Sequence, residues 1–257
     1  MHNNAIMIVT PIKIRVLIPP QDDLLSAVRQ SVKKIPEKSI LVVTSKVVSI
    51  WQGRCVPISQ VPHKDELIAR EADVYLPRSV VPNAWCMHTI KDNVLIPSAG
   101  IDESNAAKHY ILWPKNPNQV AKELWTWVRK TYHVHQLGII ITDSHSIPLR
   151  RGVVGISLGH YGFLPLHDYR GTADLFGRKL TSTLANIPDS LAAAAVFTMG
   201  EGKESTPLCL IEQASSVVFV LHPSKSKKPY SSFHVSLQED LYYPLFAKLP
   251  WKSKKKS

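Results

Sequence analysis

The chain has 257 residues, 44% of them hydrophobic and 20% charged, so it can bury a full core and is excluded from the disordered class. Its net charge of +11 is unevenly spread: residues 223–257 carry eight lysines and two acids, +6 of the total, which argues for a solvated basic end and against a nucleic-acid-binding body. Three scattered cysteines, Cys55, Cys86 and Cys209, exclude a disulfide framework or a zinc ribbon and point to a reducing, cytoplasmic setting; Thr10, Pro11, Lys13 and Arg15 break up any membrane span or targeting segment near the start.

In chain order, Ile12, Ile14, Val16 and Ile18 alternate with period two and predict a strand that Pro19-Pro20 ends. Asp22-Asp23 open a helix with Leu24, Leu25, Val28 and Val32 on one face. Ile40 to Val43 read as the next strand, and Thr44-Ser45-Lys46 sit just past its carboxyl end, where ligand groups gather in α/β layers. Taken alone, Ser45 and Lys46 serve equally well as a polar turn. A helix follows over 64–72. Its His63-Lys64-Asp65-Glu66 start lacks the HExxH order and reads as surface charge. Trp85 to His88 and Asn93 to Ile96 predict a hairpin, which delivers Pro97 to Asp102. Asp102 is either a helix cap or a ligand-binding carboxylate. Pro117 opens a helix bearing Val120, Leu124, Trp127, Val128 and Thr131; Trp113, Trp125 and Trp127 read as packing residues. His133 and His135 alternate before the next strand without a third soft ligand beside them.

Residues 137–207 concentrate the chemistry. The buried-strand run Leu137 to Thr142 ends at Asp143-Ser144, and Arg150-Arg151-Gly152, a Gly-spaced strand from Val153 to Gly162, Asp168-Tyr169-Arg170-Gly171, Asp174 and Arg178 follow. Carboxylates ligate hard cations, arginines fork onto phosphate oxygens, and glycines admit backbone amides, so this mixture suits a phosphorylated ligand and its metal. Arg170 and Arg178 could equally pair with Asp168 and Asp174 as a structural network. An Ala-rich helix over 185–199 stops at Gly200 of Met199-Gly200-Glu201-Gly202. Two more strands are predicted at 207–211 and 216–221, then a basic loop with Lys225, Lys227 and Lys228, and a short helix over 239–248. No GxxxxGK[ST] or GxSxG sequence occurs, which excludes the P-loop and the nucleophile elbow.

Read together, Val42 to Ser45 with Gly53-Arg54, Ala99 to Asp102 with Ser104-Asn105, Ile141 to Ser144, Arg150 to Gly155, Asp168 to Gly171, Phe176 to Arg178, Ala192 to Ala195 and Met199 to Gly202 resemble the coenzyme F420-0:L-glutamate ligase family. The strands and helices intermix without a βαβ rhythm, an α+β pattern, and the resemblance implies mixed sheets and helices in two interleaved lobes of an intertwined homodimer. It implies one module over residues 1–250, and a basic disordered tail is expected over 251–257. By resemblance the nucleotide contacts are Ser45, Lys46, Asn105, Gly200, Glu201 and Gly202, the metal ligands Asp102, Asp143, Ser144 and Glu201, and the phosphate-neutralising catalytic residues Arg150, Arg151 and Arg170. The cofactors are Mg2+ or Mn2+, with GTP or ATP as co-substrate. One departure falls at Ile50, where family members carry a nucleotide lysine.

The implied reaction activates a substrate carboxylate as an acyl phosphate, which the amine of L-glutamate then takes. For the acceptor, the wording around Asp143-Ser144-His145, Gly159 to Phe163 and Glu239 to Tyr242 resembles members assigned to folate metabolism, which points to tetrahydrofolate, with the deazaflavin F420-0 as the alternative. His160, Tyr161 and Phe163 would stack on the folate ring or serve as core. Two rivals from other classes are a non-catalytic nucleotide-binding protein and a nucleic-acid-binding module using the lysine tail.

Overall fold

The computed structural model describes residues 6–221 and 233–253. The chain builds half of a large lobe with β1 (Ile8–Ile12), α1 (Leu24–Ser31), β2 (Ser39–Thr44) and α2 (Ser45–Trp51). It then crosses to a smaller lobe for β3 (Cys55–Pro57), α3 (Lys64–Glu71), β4 (Val74–Leu76), β5 (His88–Lys91), β6 (Val94–Pro97) and β7 (His109–Ile111). It returns to the large lobe with α4 (Pro117–Tyr132), β8 (Leu137–His145) and β9 (Val154–Tyr161), the short pair β10 (Leu166–Asp168) and β11 (Leu184–Asn186), α5 (Ile187–Met199) and β12 (Leu208–Glu212). Finally α6 (Tyr243–Phe246) leads to β13 (Lys252–Ser253). The lobes are therefore interleaved in sequence, in a mixed α+β fold.

The large sheet runs β1-β12-β2-β8-β9, and only β2 and β8 are parallel. These two strands read as unbroken apolar runs because both of their faces are covered. Leu41, Val43, Ile139 and Ile141 pack on Leu24, Val28, Leu124 and Val128 of α1 and α4, while Ile40, Val42 and Ile140 pack on Ile187, Leu191, Ala192 and Ala195 of α5. The caps follow the side chains: Asp23 accepts from Ser26 N ahead of α1, and Asn186 accepts from Asp189 N ahead of α5. The small sheet runs β13-β4-β5-β6. Its β5–β6 turn places Asp92 and Asn93 at φ 50° and 61°, the left-handed pair that a two-residue hairpin turn needs.

Several expectations shift. The first strand lies at 8–12 rather than 12–18, because β12 offers pairing partners only for Ile8 to Ile12. The segment past it buries Ile14 and Leu17, while Val16 is 65% and Ile18 57% exposed. The predicted strand at 216–221 is reduced to a single bridge between Phe163 and Phe219, and the helix expected over 239–248 to the turn at α6. His133 closes α4 in a left-handed conformation and His135 N donates to Glu37, so the two histidines do not share a strand face. Lys252 and Ser253, expected within a disordered tail, pair instead with Tyr75 and Val74. The lysine loop at 225–228 and residues 254–257 lie outside the described residues.

Candidate active site

Because β2 and β8 are parallel, their carboxyl ends open onto the same edge of the sheet, and the residues that follow them meet there. Thr44 hands over to Ser45 and Lys46 of α2, and β8 continues through Thr142 to Asp143 and Ser144. A register shift against β9 between Ile141 and Thr142 re-aims this end of β8. The small lobe contributes Asp102 and Asn105, and the chain leaving α5 contributes Gly200, Glu201 and Gly202. Together with Arg15, Lys203 and Glu204 they enclose a pocket of about 430 Å³. Every proposed nucleotide and metal residue lines it.

The contacts inside the pocket tie the lobes together. Lys46 Nζ meets Asp102 Oδ2 at 2.5 Å and donates to Ser104 O and Oγ at 2.9 and 3.0 Å. Asp102 also accepts from Ser104 N at 2.7 Å. Burial pushes the Asp102 carboxyl up, but the Lys46 ammonium and the Ser104 donors outweigh it and hold it below its ordinary value. Asn105 Nδ2 donates to Gly202 O at 3.0 Å, and Ser144 Oγ donates to Glu201 at 2.7 Å. Gly202 N donates to Glu204 at 2.8 Å.

Asp143 is the opposite case from Asp102. It accepts from Ser144 N at 2.8 Å and from the Trp113 indole at 2.5 Å. Burial still raises it to about 6, and the charge of Asp102 adds to the rise. Two carboxylates that repel each other in a part-buried wall, with Ser144 and Glu201 beside them, form an oxygen-donor set that suits Mg2+ or Mn2+. Among the described residues no three His, Cys, Asp or Glu side chains converge as a ready-made metal cluster. Lys46 and Trp113 already occupy part of the carboxylate oxygens.

Other sequence-predicted residues lie elsewhere. Arg150 and Arg151 are exposed in the loop after β8, and Arg170 is exposed and paired to Asp168 at 2.7 Å; none of the three lines the pocket of its own chain. Asp174 accepts from Phe176 N and Arg178 N, so it shapes its own turn. Ile50 is 3% exposed and belongs to the core while walling the pocket. The amine that reaches the pocket comes from Lys46, one turn earlier on the same helix. Phe163 is core, and His160 and Tyr161 line a separate cavity with Asn118, Lys122 and Asp92, which holds none of Asp102, Asp143 and Glu201. Trp113 is a packing residue as its sequence context suggested, and its indole N–H also reaches Asp143; Arg15 and Glu204, which line the pocket, carry no motif. The run of charges from Glu201 to Glu204 was the one available signal.

A mixed α+β fold carries its pocket of carboxylates, amides and lysines at the carboxyl ends of parallel strands, where α/β layers gather ligand groups. A model of the F420-0:Gamma-glutamyl ligase family matches residues 11–213, and the chain belongs to that family. It is by that membership a ligase that forms γ-glutamyl amide bonds. The chain is similar to the coenzyme F420:L-glutamate ligase of Methanopyrus kandleri, 32% identical over 216 residues that cover 77% of this chain and 84% of that protein. It is also similar to the protein of the same name from Methanococcus maripaludis strain S2, 32% identical over 77% of this chain and 85% of that one. Over a shorter stretch, 49% of this chain and 50% of the relative, it is 39% identical to the Methanocaldococcus jannaschii protein of that name. The folate acceptor expected from the wording around Asp143 and Gly159 finds no support in these names, which favour the alternative, F420. No helix among the described residues is long and apolar enough to cross a membrane.

Proposed function

We propose that the protein adds L-glutamate to a deazaflavin acceptor of the coenzyme F420-0 type at the expense of GTP or ATP. The observation that carries this reading is the single pocket in which Ser45, Lys46, Asp102, Asn105, Asp143, Ser144 and Gly200 to Gly202 meet from four separate parts of the chain. Ser45, Lys46, Asn105 and the Gly200–Gly202 turn bind the nucleotide, with the Lys46 ammonium leaving Asp102 to face its phosphates. Asp102, Asp143, Ser144 and Glu201 would hold Mg2+ or Mn2+, which supplies charge neutralisation at the phosphate oxygens. The acceptor carboxylate attacks the γ-phosphorus and the nucleoside diphosphate leaves. The glutamate amine then attacks the acyl carbon, inorganic phosphate leaves, and the amine gives up its proton. Arg150, Arg151 and Arg170 neutralise transferring oxygens only if a second copy of the chain carries them to the pocket, so the working unit is a homodimer.

The test incubates purified protein with L-glutamate, GTP or ATP, Mn2+ and either F420-0 or tetrahydrofolate. Glutamate-dependent release of nucleoside diphosphate, with an F420-0 product heavier by one glutamyl group, is expected. Elongation of tetrahydrofolate with F420-0 untouched would reverse the acceptor, and release with neither would remove the ligase reading of this pocket.

A further inference from the structure

Trp113 does not line the pocket, yet its indole N–H ends on Asp143 Oδ2 at 2.5 Å, and the ring is braced from both lobes. It is 2% exposed and packs between Ile96 of β6 and Leu158 of β9. Its carbonyl accepts from Arg54 Nε at 3.2 Å, and Arg54 is pinned by Glu71 at 2.5 Å, which also holds Lys91 at 3.2 Å. Gly100, at φ +68°, completes the slot: a Cβ there would come within 2.0 Å of the indole nitrogen.

A buried indole needs some acceptor for its N–H, and a backbone carbonyl would do. Here the acceptor is a carboxylate of the pocket wall, which already receives Ser144 N. A carboxylate offers about four lone-pair directions. Two donors leave about two free. We propose that Trp113 is a positioning residue for Asp143: its N–H fixes the carboxylate rotation so that the remaining lone pairs are held ready for a divalent cation in the pocket. The inference rests on the metal-dependent reading of the pocket. Donors behind a ligating carboxylate hold its orientation, and their loss weakens metal binding by roughly 10- to 100-fold.

The test measures Mn2+ binding directly, by the paramagnetic resonance signal of free Mn2+, on full-length wild-type protein and Trp113→Phe with GTP present. Trp113→Phe keeps a ring in the slot and removes the N–H. Its affinity for Mn2+ is expected to fall by about 10-fold or more. Turnover should recover at saturating Mn2+, while the half-maximal metal concentration rises. Ile96→Val, which loosens the same packing without touching the hydrogen bond, should leave Mn2+ affinity unchanged. Equal affinity in wild type and Trp113→Phe overturns the inference and spares the metal reading; no Mn2+ binding by wild type overturns both. If Trp113→Phe does not fold, wild-type protein with 15N-labelled tryptophan decides. The Trp113 Nε1–H resonance should shift as Mg2+ is titrated, and a resonance unmoved at saturation overturns the inference.

Discussion

Asp143 and Asp102 share a pocket but titrate in opposite directions, because only Asp102 has an ammonium against it. Burial lifts Asp143 from its ordinary 3.8 to about 6, so the folded state holds that proton more tightly than the unfolded chain. The stability this contributes is full below about pH 4 and is lost as pH rises through 6, an effect on the order of 1–3 kcal/mol. His160 runs the other way: burial drives it down to about 4, so its neutral form costs stability at low pH and that cost fades towards pH 6.5. The difference between wild type and Asp143→Asn cancels the histidine and isolates the aspartate. Denaturant midpoints in EDTA from pH 4 to 8 should show wild type losing stability relative to Asp143→Asn as pH rises. A difference that stays flat across that range would mean the carboxyl is not raised. The same variant should lose most metal-dependent turnover, since the pocket would be left with one fewer charged ligand.

At the scale of elements, β2 and β8 were legible because a strand buried on both faces writes an unbroken apolar run, α1 because its Asp cap and apolar face sit at helical spacing, α4 because Pro117 opens an apolar face, and α5 because an Ala-rich run stops at Gly200. Period-two alternation at 12–18 misled, since alternation cannot report whether a partner strand exists; the extended chain there instead walls the pocket with Ile14 to Leu17. Asp102, Asp143 and Glu201 were visible as carboxylates just past predicted elements. The Trp113–Asp143 bond was not, because it joins two lobes across 30 residues of chain and leaves no local spacing. The seat of α5 makes a further test possible. Its Ala-rich face lies so close to β9 that a Cβ on Gly155 would fall 2.4 Å from Ala192 O, backbone that cannot step aside alone. Gly155→Ala should therefore cost about 1–3 kcal/mol by overpacking. Moving α5 also moves Glu201 at its exit, so turnover should fall further than the lost stability explains, read from urea midpoints and activity on the same samples. Full turnover in a destabilised Gly155→Ala protein would show that the Gly200–Gly202 turn is not held by the helix.

At the scale of the whole molecule, several large apolar side chains stand far out in water. Leu149 is 99% exposed beside Arg150 and Arg151, and Leu175 and Phe176 are 98% and 95% exposed beyond the β10–β11 pair, on the same segment as Arg170 and Arg178. Large apolar side chains held this far into water favour burial against another surface, at roughly 1.5–3 kcal/mol each. The three proposed phosphate-neutralising arginines sit on these two projections and not in their own pocket. A second copy of the chain would cover the leucines and the phenylalanine and, by the reciprocity of a two-fold contact, could return the arginines of each copy to the other. Leu175→Asp with Phe176→Asp places two charges where burial is needed and touches no contact of the pocket. Light scattering after size exclusion should give a dimer mass for wild type and a monomer mass for the double variant. The variant should stay folded by far-UV circular dichroism, since these side chains bury nothing within their own chain, while its melting temperature falls with the lost subunit contact and its turnover is lost. A dimer that survives both aspartates would move the subunit contact elsewhere, and a monomer with undiminished turnover would take Arg170 out of the reaction.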